Sequence, residues 1–126
     1  MFLATEVNER EVAHTLLVLG ATYINGRSKN FSEKEAEDAI TIADRCLEIR
    51  ERLCDKKYLA SVTEVYEARL LRGTMLFFTS GKEVEGANLL LDCLRWSRSN
   101  PTNTYHEIIE SEVGRLFYLK LGPEII

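Results

Sequence analysis

Leu19-Gly20-Ala21-Thr22-Tyr23 recurs, altered, as Arg72-Gly73-Thr74-Met75-Leu76 and again as Val113-Gly114-Arg115-Leu116-Phe117. Each copy places a glycine three residues before a large apolar side chain, inside a stretch that otherwise reads as helix. A second glycine follows each time, at Gly26, Gly81 and Gly122. Glycine within a helix costs about 0.5–1 kcal/mol relative to alanine. Three at matched places therefore predict a recurring need: a neighbouring helix that crosses too closely for a side chain. On that basis Gly20, Gly73 and Gly114 are expected to be equivalent points of neighbouring hairpins.

Outward from the three copies, the chain divides into helices. The first is predicted to start near Asn8, where Asn8 and Glu11 have capping-box spacing. Val12, Leu16, Leu19 and Tyr23 mark one apolar face and Ala13, Leu17, Gly20 and Ile24 the next, a width that suits contact on more than one side. Gly26 sits where a left-handed cap ends it. Ser32 and Glu35 form the next capping box, followed by Ala36, Ala39, Ile40, Ala43, Cys46, Leu47 and Leu53 at steps of three and four, with charged residues opposite. A stripe of such small residues lets two helices approach closely.

After a polar joint at Asp55-Lys56-Lys57, a third helix is predicted from Tyr58 or Ser61 to Thr79. Ser80 with Glu83 is the expected cap of a fourth, whose buried face is read as Val84, Ala87, Leu90, Leu91, Leu94 and Trp96. Pro101 ends that pattern, since proline cannot continue a helix. Thr104 and Glu107 open a fifth helix carrying Tyr105, Ile108, Ile109, Val113, Leu116 and Phe117. No stretch alternates as a strand does. The expected class is all-α, with about five helices.

The chain has 126 residues, 45% hydrophobic and 29% charged, which fits one soluble domain able to bury a core. A net charge of −4 without any run of Lys or Arg argues against nucleic acid as a partner. No segment approaches the ~18 apolar residues of a membrane span. The first residues lack the basic-then-apolar order of a secretory signal. Cys46, Cys54 and Cys93 lie in no metal-ligand spacing and are expected as free core thiols in a reducing compartment, the cytoplasm or the nucleus.

These residues resemble tetratricopeptide repeats, whose first helix carries L-G-x-x-Y and whose second carries A-x-x-x-F-x-x-A. Leu19, Gly20 and Tyr23 match the first pattern, and Ala36, Ile40 and Ala43 the second. In the next unit Gly73 and Leu76 stand in the first helix, with Gly86, Leu90 and Cys93 in the second. Gly86 takes the usual alanine's place, a change expected to be sterically harmless. The third unit offers Val113, Gly114 and Phe117, then an unpaired first-type helix. Cys46 to Leu53 is similar to the long second helices of kinesin-light-chain-type repeats, and Gly73 and Gly114 lie 41 residues apart. The first two glycines, 53 apart, depart from that spacing.

The resemblance implies antiparallel helix hairpins stacked as a short superhelix, in one domain over 1–126 with units at about 8–54, 58–98 and 102–121. It also implies a concave groove that binds another protein. Its facing positions would be His14, Leu17, Ala21 and Ile24 in the first unit, then Glu67, Leu70, Thr74 and Phe77. In the third they would be Ile108, Ser111, Arg115 and Tyr118. This lining is mostly apolar and lacks the lysines and asparagines that family members use on a partner's terminal carboxylate. It suits a partner's amphipathic helix or extended segment.

Catalytic chemistry finds little support in the residues. His14 and His106, the two histidines, lack the following lysine of a phosphotransfer bundle; Glu11 stands three places before His14, but Asn103 stands before His106, whereas di-metal carboxylate bundles require a Glu-x-x-His pair on each of two helices. Glu33, Glu35, Glu37 and Asp38 suit a helix N-terminus in solvent. No catalytic residue, metal ligand or cofactor is assigned. Arg95, Trp96 and Arg98 have the composition of an interface hot spot, or of a core end closed by a tryptophan under an arginine. The sequence thus favours a non-enzymatic adaptor. The alternative is a structural or regulatory helical subunit that assembles into a complex or homodimer through its last helix, with Ile108, Val113, Leu116, Phe117 and Leu119 as the contact.

Overall fold

The computed structural model describes residues 4–24, 31–55 and 61–121, and every regular element in them is helical. The helices are α1 (Ala4–Ile24), α2 (Glu33–Asp55), α3 (Val62–Phe77), α4 (Glu83–Ser99) and α5 (His106–Leu121). The all-α expectation with five helices holds. The expected stops at Gly26 and Gly122 lie outside the described residues, as does the joint at 56–57.

Capping explains most of the boundaries. Ser32 and Glu35 make the predicted box at α2: the Ser32 N–H donates to Glu35 Oε1 at 2.9 Å, and the Glu35 N–H to Ser32 Oγ at 3.3 Å. Of the two starts foreseen for the third helix, Ser61 is the one used. It forms a complete box with Glu64, Ser61 N–H to Glu64 Oε2 at 2.7 Å. Three other predicted starts shift. Asn8 lies inside α1, which begins at Ala4. At α4 the cap position is Lys82, without a side-chain bond, and Glu83 instead accepts from the Gly81 N–H at 2.7 Å. Gly81, at φ +87°, makes the turn before it. α5 begins at His106, two residues after Thr104, and Asn103 Oδ1 accepts the Tyr105 N–H at 2.8 Å in the turn before it.

The contacts between helices fix their directions. Ala13 meets Cys46 and Glu9 meets Arg52, so α2 runs against α1. Arg50 meets Glu67 while Asp44 meets Arg72, so α3 reverses again. Tyr66 stacks on Trp96 while Phe77 faces Gly86, which reverses α4. Between alternate helices the order is parallel: Arg10 pairs with Glu64 and Gly20 faces Leu71, while Phe77 meets Phe117. The odd helices α1, α3 and α5 therefore form one parallel row, and α2 and α4 lie against it. Helices pack in chain order, α1 also reaches α3, and the first and last form no packed pair.

The alanine stripe of α2 does what its spacing foretold. Ala36, Ala39, Ala43 and Cys46 are buried, together with Leu70, Leu71, Met75, Phe78 and Leu90 from the next hairpin. Phe31, which carried no signal in the sequence, ties the chain just before α2 to Phe78 after α3 and to Tyr23 of α1. Its N–H donates to the Phe78 carbonyl at 2.8 Å, and its ring lies 5.7 Å from Tyr23 and 5.9 Å from Phe78. Two residues expected in the core of α4 lie outside it: Val84 is 76% exposed and Leu91 is also exposed.

The glycines are not equivalent. A Cβ at Gly73 would lie 3.1 Å from Leu90 Cδ2 of α4, whereas one at Gly20 would lie 2.8 Å from Leu71 Cδ2 of α3. One at Gly114 would meet nothing within 4 Å. The tightest approach is at Gly86, where a Cβ would fall 2.4 Å from the Phe77 backbone nitrogen and 2.8 Å from the Gly73 carbonyl oxygen. Alanine there is excluded by backbone, so the glycine is required rather than harmless. Gly73 and Gly86 together make the close crossing that the sequence assigned to three separate glycines.

Candidate functional site

The odd row leaves a groove of about 470 Å³ along α1, α3 and α5. Leu17, Ala21 and Ile24 line it from α1, Glu67, Leu70 and Thr74 from α3, and Ile108 and Arg115 from α5. All eight were expected from the sequence. Val18, Thr22, Leu71, Tyr105 and Glu112 complete the lining. The floor is fixed by packing, since Leu70, Leu71 and Thr74 are buried and the Thr74 hydroxyl donates to the Leu70 carbonyl at 2.8 Å. The walls are reachable, with Val18 at 52% and Ile108 at 46% exposure and Ala21 and Arg115 also exposed.

Four expected lining residues lie elsewhere. Phe77 is core, its ring 5.1 Å from that of Phe117. His14 is exposed on α1 outside the lining, and Ser111 and Tyr118 are exposed on α5 away from it. Helices α3 and α5 nevertheless show the groove the same side: α5 presents Ile108, Glu112 and Arg115 where α3 presents Glu67, Leu71 and Thr74.

The groove is apolar with a polar seam, and its charges are answered from within. Glu67 Oε1 accepts from Arg50 Nη1 at 2.6 Å, and the same nitrogen donates to the Glu64 carbonyl at 2.9 Å. Arg50 is 2% exposed, and its Nε has no hydrogen-bond partner among the described residues. The Tyr105 hydroxyl is held well above the usual phenol range, first by burial and then by the carboxylates of Glu67 and Glu112. It stays protonated and can only donate into this acidic corner. Arg115 Nη2 pairs with Glu112 Oε2 at 2.8 Å, which draws the arginine back onto its own helix.

Two other hollows have a different character. One of about 910 Å³ lies between the start of α2 and the turn before α4, with Glu33, Glu37 and Asp38 on its rim beside Lys82. Its acids belong to a solvated helix start, where they complement the macrodipole. The other lies beside Tyr66 and Trp96, whose rings stack at 4.2 Å and 6°. Trp96 does carry an aromatic partner, but the stacked arginine is Arg69, 4.7 Å from the Tyr66 ring. Arg95 turns to Asp92 and Arg98 to Glu110. The Trp96–Tyr66–Arg69 column ties α4 to α3, and Arg69 reaches Glu51 of α2.

Among the described residues no His, Cys, Asp and Glu are grouped to hold a metal ion, and no helix is long and apolar enough to cross a membrane. Ser97 and His106 approach to 2.7 Å, but Ser97 is fully buried and the pair fastens α4 to α5. Comparison of the chain with protein-family profiles, curated proteins and solved structures yields no match. The site is therefore defined by its own geometry: an all-α chain with an apolar groove along its row of odd helices.

Proposed function

We propose that this chain is a non-enzymatic adaptor of tetratricopeptide-like build, holding a partner's amphipathic helix or extended segment in the groove of α1, α3 and α5. The observation that supports this reading is the groove itself, lined by eight of the twelve residues expected to face a hollow. Its floor is preformed by buried side chains, which keeps the ordering cost of binding low. The apolar walls favour a partner with two or three apolar side chains on one face. Because Arg50 and Arg115 neutralise the acids locally, recognition rests on shape and apolar contact.

The test is selection of binders from a displayed library of helical peptides, followed by binding to Ala21→Arg and Ile108→Arg. Both residues are exposed, so neither change disturbs the core. Loss of binding by about tenfold or more in each, with Val84→Arg on α4 unaffected, is expected. Binders that tolerate both groove substitutions would contradict the reading.

A further inference from the structure

Most of the polar groups that line the groove are answered on their own helices. The Thr22 and Thr74 hydroxyls donate to the Val18 and Leu70 carbonyls at 2.9 and 2.8 Å. Glu112 is held through both oxygens by Arg115. Glu67 differs. It shares the lining with Leu17, Leu70 and Leu71, and its side chain is 23% exposed. A carboxylate offers about four acceptor positions. The buried Arg50 fills one through Nη1 at 2.6 Å, and the Tyr105 hydroxyl, which faces the same carboxylate, can fill a second. Water can meet the rest only while the groove is open.

Apolar side chains filling the groove would strip that water. An acceptor buried without a donor loses more than an ordinary hydrogen bond gains. The occupant therefore has to bring a donor to Glu67, and the charges say which kind. A partner carboxylate brings no donor. A lysine or arginine would add a cation beside Arg50, which already answers the Glu67 charge, and would stand without a counterpart in a closed apolar site. An uncharged donor meets the open acceptor positions and leaves the Arg50–Glu67 pair as it is. Within a helix the backbone N–H groups are spent on the helix itself, so the donor of a helical partner is a side chain. We infer that the groove selects a helical segment carrying, at one position among its apolar contacts, an uncharged donor set against Glu67: a hydroxyl, a carboxamide or an indole N–H. The apolar contacts give the affinity, and this one bond gives the register and the discrimination between partners. The inference rests on the proposed groove binding and adds to it the chemistry of one position.

Helical peptides selected on the full chain from a displayed library test it, with binding read by calorimetry. Binders lost in Ala21→Arg and Ile108→Arg are expected to share one position held by an uncharged donor. Replacing that residue by alanine, or by lysine, should weaken binding to the native chain about tenfold or more. In Glu67→Gln the amide oxygen can keep the Arg50 bond while its N–H turns to the groove; the donor peptide and its alanine version should then bind within about twofold of each other. Circular dichroism checks the folding of that variant, and the peptide replacements, made against the native chain, stay decisive without it. Groove-dependent binders with no such position, or with lysine preferred there, would overturn the inference and leave the groove reading standing. So would a donor preference that survives Glu67→Gln. Binders indifferent to Ala21→Arg and Ile108→Arg would overturn the groove reading and the inference with it.

Discussion

At the scale of single residues, two helical glycines have opposite structural meanings. Gly86→Ala should cost about 3 kcal/mol, because the added methyl meets the Phe77 and Gly73 backbones, which cannot turn aside as a side chain can. Gly114→Ala should instead gain about 0.5–1 kcal/mol of helix propensity. Denaturant melts of the two variants check both signs. The glycine pattern was legible in the sequence, but its partners were not: a motif locates a crossing on one helix without naming the helix that crosses it. The thiols differ in the same local way. Burial pushes the Cys93 thiol up to about 12 and raises that of Cys46, whereas Cys54 is half-buried. A disulfide reagent at pH 8 should therefore label Cys54 of the folded chain first, and the other two only on unfolding. Equal rates at all three would contradict the burial.

At the scale of elements, helix starts were readable wherever serine and glutamate stood three apart and the chain had no better local donor set. Ser32 and Glu35 met that condition, as did Ser61 and Glu64. Ser80 and Glu83 did not, because the left-handed Gly81 turn delivers its own N–H to Glu83. Loss of the α3 cap in Ser61→Ala should cost about 1 kcal/mol. The same cap gives a pH signature. Burial alone would raise the Glu64 carboxyl, but the hydrogen bond from Arg10 and those from Ser61 outweigh it and hold the group below the usual carboxylate range. A carboxyl depressed in the folded state stabilises the fold above its unfolded value, and the contribution fades as pH falls through the folded value. Glu64→Gln should accordingly flatten the acid limb of the stability curve, measured by melting from pH 6 down to pH 2. An unchanged acid limb would remove Glu64 from the account.

For the whole molecule, the sequence anticipated which residues of α1 and α3 meet in the groove, because the helical period fixes a face once one buried position is known. It failed for His14 on α1, for Phe77 on α3, and for Ser111 and Tyr118 on α5. Phe77 is drawn into the core against Phe117, a contact between helices that the period of one helix does not foretell. Ile109, Val113 and Leu116 are buried within the chain, so two residues foreseen as a contact surface on α5, Val113 and Leu116, belong to its core. What remains open on α5 is the narrower stripe around Gly114.

The central claim is that the row of α1, α3 and α5 is the binding face. Amide chemical-shift mapping by NMR, with a library-selected helical peptide titrated into the isotope-labelled chain, tests it most directly. The account predicts the largest shifts at Leu17, Ala21, Leu70, Thr74 and Ile108, with Trp96 and the exposed side of α2 silent. Shifts centred on the Tyr66–Trp96 column or on the start of α2, with the groove unmoved, would contradict it.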